Sequence, residues 1–203
     1  MTTLKAKSPR TTKRKSLTGY SPDTIKVNKN TFQSHCIIGT TAYQYGHENR
    51  PGLYLLNNLL GGPGMNSRLN LSLREKKGFT YNIESSFNPY SDTGIFSIYF
   101  GTDNSNLEKS IAEIKKELKN LRERKLGSLQ LSKAKKQLVG HLAISSENME
   151  NYMLSMGKSI LVFNHVETLE EINKKIENIT AEKILEIAND IFEEKSQSLL
   201  IYY

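Results

Sequence analysis

The side chains able to do hydrolytic chemistry are few: four histidines, His35, His47, His141 and His165, and one cysteine, Cys36. Hydrolytic zinc is the first chemistry to test, and it needs three or four ligands converging on one point. No histidine has a second histidine four residues away. His47-Glu48 opens like H-E-x-x-H, but Pro51 stands where the second ligand belongs, and the inverted H-x-x-E-H does not occur. The histidines therefore read as ordinary core or surface residues, and no metal ligand is assigned. Nucleophilic catalysis finds no G-x-S-x-G, and Cys36 lies in an apolar run where a buried, inert thiol is expected. Gly61-Gly62-Pro63-Gly64 lacks both the Lys-Ser/Thr of a phosphate loop and the spacing of G-x-G-x-x-G, and reads as a stop between two helices.

One segment remains dense in informative residues, Leu59 to Tyr81, LLGGPGMNSRLNLSLREKKGFTY. It reads as a glycine break, a short helix from about Asn66 to Lys77, and the start of a strand. Asn66 or Ser67 can cap the helix, and Gly78 fits the residue just past its end. Arg74 lies near the helix C-terminus, where the macrodipole favours a cation. Tyr81 lies just inside the strand. An arginine and a tyrosine on one helix-strand corner can both donate hydrogen bonds to a carbonyl. The plainer alternative is a helix-end cation beside a half-buried tyrosine.

The elements that must position this corner follow from periodicity. Residues 33–43 are rich in β-branched and aromatic types and lack charge, and are expected to form a strand covered on both faces. Pro51 opens a helix running to Leu60. Residues 79–88 and 93–101 form an antiparallel hairpin across the turn 89–92, the second strand being apolar enough for a central position. Leu107, Ile111, Ile114, Leu118 and Leu121 mark an amphipathic helix. Leu131, Ala134, Leu138 and Leu142 mark another. Met149, Met153, Met156, Ile160 and Phe163 mark a third, and Leu169, Ile172, Ile176 and Ile179 a short fourth. Thr180 caps a last helix with Ile184, Ile187 and Ile191, and residues 199–203 return to the sheet as a strand. A sheet with helices segregated to one face buries these stripes, so the fold class is α+β.

The chain has 203 residues and a formal net charge of +7. Residues 1–22 hold six of the basic residues and no acid, leaving a nearly neutral body. That stretch has too few apolar residues to offset the entropy of ordering, and reads as a basic flexible tail or interdomain linker before a domain at 23–203. A basic arm can also meet nucleic acid or an anionic membrane, but no aromatic is interleaved with its charges before Tyr20. A single cysteine excludes a disulfide framework and a cysteine-rich zinc module. No apolar run reaches the ~18 residues of a spanning helix, and no signal-peptide core follows the basic residues.

The segment 60–81 resembles the C-terminal, non-zinc domain of the M16 family of zinc metallopeptidases, the pitrilysin and mitochondrial-processing-peptidase family. The signature of that domain is close to L-G-G-G-M-S-S-R-L-x-x-x-L-R-E-x-x-G-L-x-Y. Here it stands as Leu60-Gly61-Gly62, an inserted Pro63, Gly64-Met65-Asn66-Ser67-Arg68-Leu69, then Leu73-Arg74-Glu75 through Gly78-Phe79-Thr80-Tyr81. The order of elements on either side fits over about residues 20–203.

The resemblance implies a mainly antiparallel sheet with helices packed on one face, the mitochondrial-processing-peptidase-like metallohydrolase fold. It implies that the chain is the substrate-binding, non-catalytic half of a zinc endopeptidase, inactive alone. Zinc and H-x-x-E-H would belong to a homologous N-terminal half, in the same full-length chain or a separate subunit, that closes with this one over a peptide. Arg74 and Tyr81 would contact the substrate, and Gly61, Gly62, Gly64 and Gly78 would be structural loop positions. The alternative is a proteolytically inactive structural or interaction subunit of the same fold. No nucleic-acid partner and no membrane span are expected. Self-association through the orphaned face is an expectation, as is a place in the bacterial cytoplasm.

Overall fold

The computed structural model describes residue 17 and residues 19–203; the basic run 1–16, expected as part of a tail, lies outside the described residues. Five strands form one sheet: β1 (Thr24–Val27), β2 (Ser34–Ala42), β3 (Thr80–Pro89), β4 (Gly94–Thr102) and β5 (Ser198–Tyr202). Their order is β1-β5-β2-β4-β3. The β1/β5 pair is parallel and the other three pairs are antiparallel. Six helices accompany them: α1 (Arg50–Gly61), α2 (Leu107–Glu123), α3 (Ser128–Glu147), α4 (Met149–Phe163), α5 (Leu169–Glu177) and α6 (Ala181–Ile191). This is the expected α+β architecture, mainly antiparallel, with helices on one face.

Alternation along the strands separates the two faces of the sheet. Cys36 and Ile38 of β2, Phe96, Ile98 and Phe100 of β4, Ile83 and Phe87 of β3 and Ile201 of β5 point into the core. They meet Leu53, Leu56 and Leu60 of α1 and Ile184 and Ile187 of α6, all at most 1% exposed. The α2 stripe is buried at Leu107, Ile111, Ile114, Leu118 and Leu121 as its 4-3 spacing requires. Pro51 sits in the first turn of α1, and the Thr180 hydroxyl accepts from the Lys183 amide at 3.1 Å to cap α6. β4 lies between β2 and β3, inside the sheet rather than at its edge.

Three details depart from expectation. First, β2 is covered on one face only, because no described helix packs on the other: Ile37 is 40% exposed there, with Ile25 at 51%, Ile95 at 46% and Tyr202 at 39%. Second, β1 was not anticipated. Its four residues borrow order from β5 through the register Thr24↔Leu199 to Val27↔Tyr202. Tyr20 is fixed beside it, its hydroxyl donating to Ser198 Oγ at 2.5 Å. Third, α4 buries no residue at all, so the Met149-to-Phe163 stripe does not face a core.

Candidate functional site

The short helix expected over 66–77 is present over 68–75, and its main part, Asn70–Glu75, is π-helical rather than α-helical. Leu69 and Leu73 are fully buried and hold this turn to the core, while the extra residue per turn leaves Leu71 and Arg74 outward. Neither Asn66 nor Ser67 caps the π-helical turn with its side chain. The Ser67 hydroxyl instead accepts from Asn70 Nδ2 at 2.9 Å. π-turns of this kind cost backbone geometry and concentrate at functional sites.

Gly78 closes the turn with φ +61°, a left-handed conformation that side chains rarely adopt. Its amide donates to the Arg74 carbonyl at 3.1 Å, and the Phe79 amide to the Leu73 carbonyl at 2.9 Å. These bonds satisfy carbonyls that a helix end leaves without partners. The chain then enters β3 through a bulge: Thr80 pairs with Thr102 and Asn82 with Gly101, and Tyr81 between them has no cross-strand partner. A bulge re-aims the side chain it carries. Tyr81 is accordingly 79% exposed, although Thr80 beside it is buried. The Arg74 side chain is 45% exposed, and its nearest carboxylate is Glu75, at 3.8 Å from Nε. Arg74 and Tyr81 thus stand on either side of the Gly78 turn, both open to solvent, with no hydrogen bond between them. Two exposed donors on a fixed frame suit a carbonyl or an oxyanion brought from outside.

The other glycines bring α1 and its following loop close to their neighbours. A Cβ on Gly61 would lie 2.7 Å from the Ser85 amide nitrogen and hydroxyl, so the end of α1 lies directly on β3. Gly62 abuts Asn58, and Gly64 abuts the amide pair Asn66–Gln137, which exchanges two hydrogen bonds at 3.0 and 3.1 Å. Asn58 Oδ1 also meets His141 Nδ1 at 3.1 Å. This amide cluster ties the loop to α3, and its partners lie too far apart in sequence for any local motif to reveal them.

A second tie runs to α2. Glu113 accepts from Ser72 Oγ at 2.9 Å and from Lys77 Nζ at 2.6 Å. The Lys77 bond is the largest influence holding this carboxyl below its ordinary range; burial opposes it. Arg68 and Glu117 approach to 3.9 Å nearby.

The remaining candidates for chemistry are dispersed. His35 pairs with Tyr99 at 2.8 Å on the bare sheet face, and His47 stacks on Tyr43 at 4.0 Å. His47 Nδ1 accepts from the Asn49 amide. Tyr43 donates to Asp190 at 2.6 Å, and its burial is the main cause raising the phenol well above the usual range. Burial also pushes the Cys36 thiol up to about 12, with a smaller contribution from Glu108. Among the described residues no three His, Cys, Asp or Glu side chains gather as metal ligands. The residues present do not fit a zinc site. No described helix is long and apolar enough to cross a membrane.

Residues 1–138 match the family described as peptidase M16 inactive domain. The chain is 34% identical over 182 residues to an uncharacterized zinc protease, YmxG, of Bacillus subtilis, covering 90% of this chain and 44% of that protein. It is 33% identical over 175 residues to an uncharacterized zinc protease of Rickettsia bellii, covering 86% and 42%. The chain therefore spans less than half the length of these curated relatives. In fold it is similar to the crystal structure of a peptidase M16 inactive domain from Pseudomonas fluorescens, with a TM-score of 0.83 at 19% identity over 96% of this chain and 47% of that one. A chain of complex III2 from Candida albicans shares the fold with a TM-score of 0.78 at 15% identity, over 89% and 45%. The glycine break and the Gly78 turn agree with these matches: the chain belongs to the peptidase M16 family, as its inactive domain.

Proposed function

We propose that this chain is the substrate-binding, non-catalytic half of a zinc endopeptidase acting on peptides. It closes over a half that carries H-x-x-E-H and holds the zinc. Residues 1–22 lead in as the linker and 23–203 form the domain, with the bacterial cytoplasm as the compartment. The observation that carries this reading is the corner itself: Tyr81 stands 79% exposed on a bulge, across the Gly78 turn from an exposed Arg74. Such donors bind a peptide carbonyl and stabilise negative charge developing on it. The sheet face bearing Ile25, Ile37, Ile95 and Tyr202 is the surface offered to the companion half, since bare apolar patches mark interaction sites.

The test is reconstitution with an H-x-x-E-H half. The mixture should cleave peptides, while this chain alone should not. Arg74→Ala and Tyr81→Phe should each lower kcat/KM about a hundredfold, with metal content and melting temperature unchanged. Full turnover in both variants would make the pair architectural. A second reading, a permanent structural subunit without proteolysis, draws on the same bare face and on the fold shared with a complex III2 chain. It expects tight pairing with a companion and no dependence on Arg74 or Tyr81. Either reading expects the isolated chain to self-associate through that face. Sedimentation should show dimers that Ile37→Glu disperses, and a wild-type monomer at high concentration would count against it.

A further inference from the structure

On the helical side of the molecule, α1, α3, α4 and α5 line a half-open cavity of about 420 Å³. That size is typical of sites for small ligands or peptide ends. Leu138, Leu142, Met156, Leu169 and Ile172 give it an apolar wall. Besides Lys175, two cations line it, Arg50 and Lys158. The Arg50 guanidinium lies over the Phe163 ring at 4.9 Å and the Lys158 ammonium over the Tyr45 ring at 5.4 Å. The two rings meet edge to face at 5.9 Å, so both charges are held by one aromatic pair. Burial raises the Tyr54 phenol, and the charges of Arg50 and Lys158 oppose that rise, which places both beside a third ring of the same wall.

Neither cation has a carboxylate within ion-pair distance among the described residues. The other lysine of the wall, Lys175, is already paired with Glu167. A ring face holds a cation only weakly and leaves its N–H groups free to donate. A carboxylate takes those donors in stronger, charge-assisted bonds. The site thus offers apolar walls for an apolar stem and two positioned donors for one anionic end.

We propose that this cavity binds the free C-terminal end of an apolar peptide, its last side chains against the Leu138–Ile172 wall and its carboxylate at Arg50 and Lys158. The choice of a peptide over another carboxylate on an apolar stem, such as a fatty acid, rests on the function proposed above. The experiment uses the chain as it is and needs no catalytic half. Fluorescence anisotropy compares a labelled short peptide ending in Ala-Leu-Leu as the free acid with the same peptide as its C-terminal amide; decanoate is titrated separately. The free acid should bind saturably, and the amide about tenfold or more weaker. Arg50→Gln and Lys158→Gln should bring acid binding down to the amide level and leave amide binding unchanged. Lys109→Gln, at an exposed lysine of α2 outside the cavity, should leave both unchanged. Equal affinity for acid and amide would overturn the proposal, as would binding of decanoate without the peptide, or loss of binding in Lys109→Gln. Should Arg50→Gln lower the melting temperature, the exposed Lys158→Gln decides. Failure here leaves the peptidase reading standing, because that reading falls only if the reconstituted halves fail to cleave.

Discussion

The corner from Gly61 to Tyr81 and the helix α4 both hold out side chains that a folded chain ordinarily buries or pairs, on very different frames. At the corner, fully buried Leu69 and Leu73, the left-handed Gly78 and the Glu113 tie hold the backbone around Arg74 and Tyr81. In α4 no residue is buried, while Met149, Met153, Leu154, Ile160 and Leu161 are all more than half exposed. Exposure at the corner is set by buried neighbours on either side of it. Exposure along α4 belongs to a helix that lines an open cavity and buries no residue.

Stability measurements sharpen or break this contrast. The largest expected effect is at Leu73, fully buried under the corner: Leu73→Ala should cost about 2–5 kcal/mol in urea unfolding. Leu161→Ser, at a residue 88% exposed, should stay within about 0.5 kcal/mol. A comparable loss at Leu161 would show that α4 is packed in solution. Glycine substitution should then change sign between the regions. Gly78→Val forces a side chain into the left-handed region and should destabilise by about 1–2 kcal/mol. Gly157→Ala, inside α4 with open space around the new methyl, should stabilise by about 0.5–1 kcal/mol. No gain at Gly157 would mean that α4 is frayed in the isolated chain.

The smallest effect is electrostatic. The folded carboxyl of Glu113 sits below its ordinary value of 4.5, chiefly through the Lys77 bond. A lowered value means that its contribution is present above 4.5 and is lost as pH falls through the folded value. Wild type should therefore exceed Glu113→Gln in stability at neutral pH, and the gap should close below pH 4.5. A gap independent of pH would make the tie one of shape rather than charge.

Much of this was legible in sequence, for identifiable reasons. The α2 and α6 stripes, the β3–β4 hairpin and the returning β5 follow from spacing, because their partners are single faces of long elements. Gly78 was legible because its place after an apolar turn admits few residue types. The π-turn was not, since Leu69 and Leu73 keep a helical spacing whether the bonds close over four residues or five. β1 was hidden because Thr24–Val27 is too short to show a period and takes its order from β5, 175 residues away along the chain. The bare face of β2 was read as covered because β-branched residues signal a strand without revealing how many layers flank it. Within the candidate site, the exposed corner of Arg74 and Tyr81 was legible from the motif as a place, and its role remains the proposal made above. The Asn58–His141 and Asn66–Gln137 contacts, 83 and 71 residues apart, were not.

The parallel pairing of β1 with β5 has a mechanical side. In parallel strands, the start of one and the end of the other lie at opposite ends of the shared ladder. Tension drawing the segment before Thr24 away from Tyr203 would slide the strands past each other and strain all four pairs of the β1–β5 register together. An antiparallel pair gripped in the same way would peel apart one bond at a time. The domain would thus resist a pull applied through β1 and β5 by shear rather than by unzipping of the sheet.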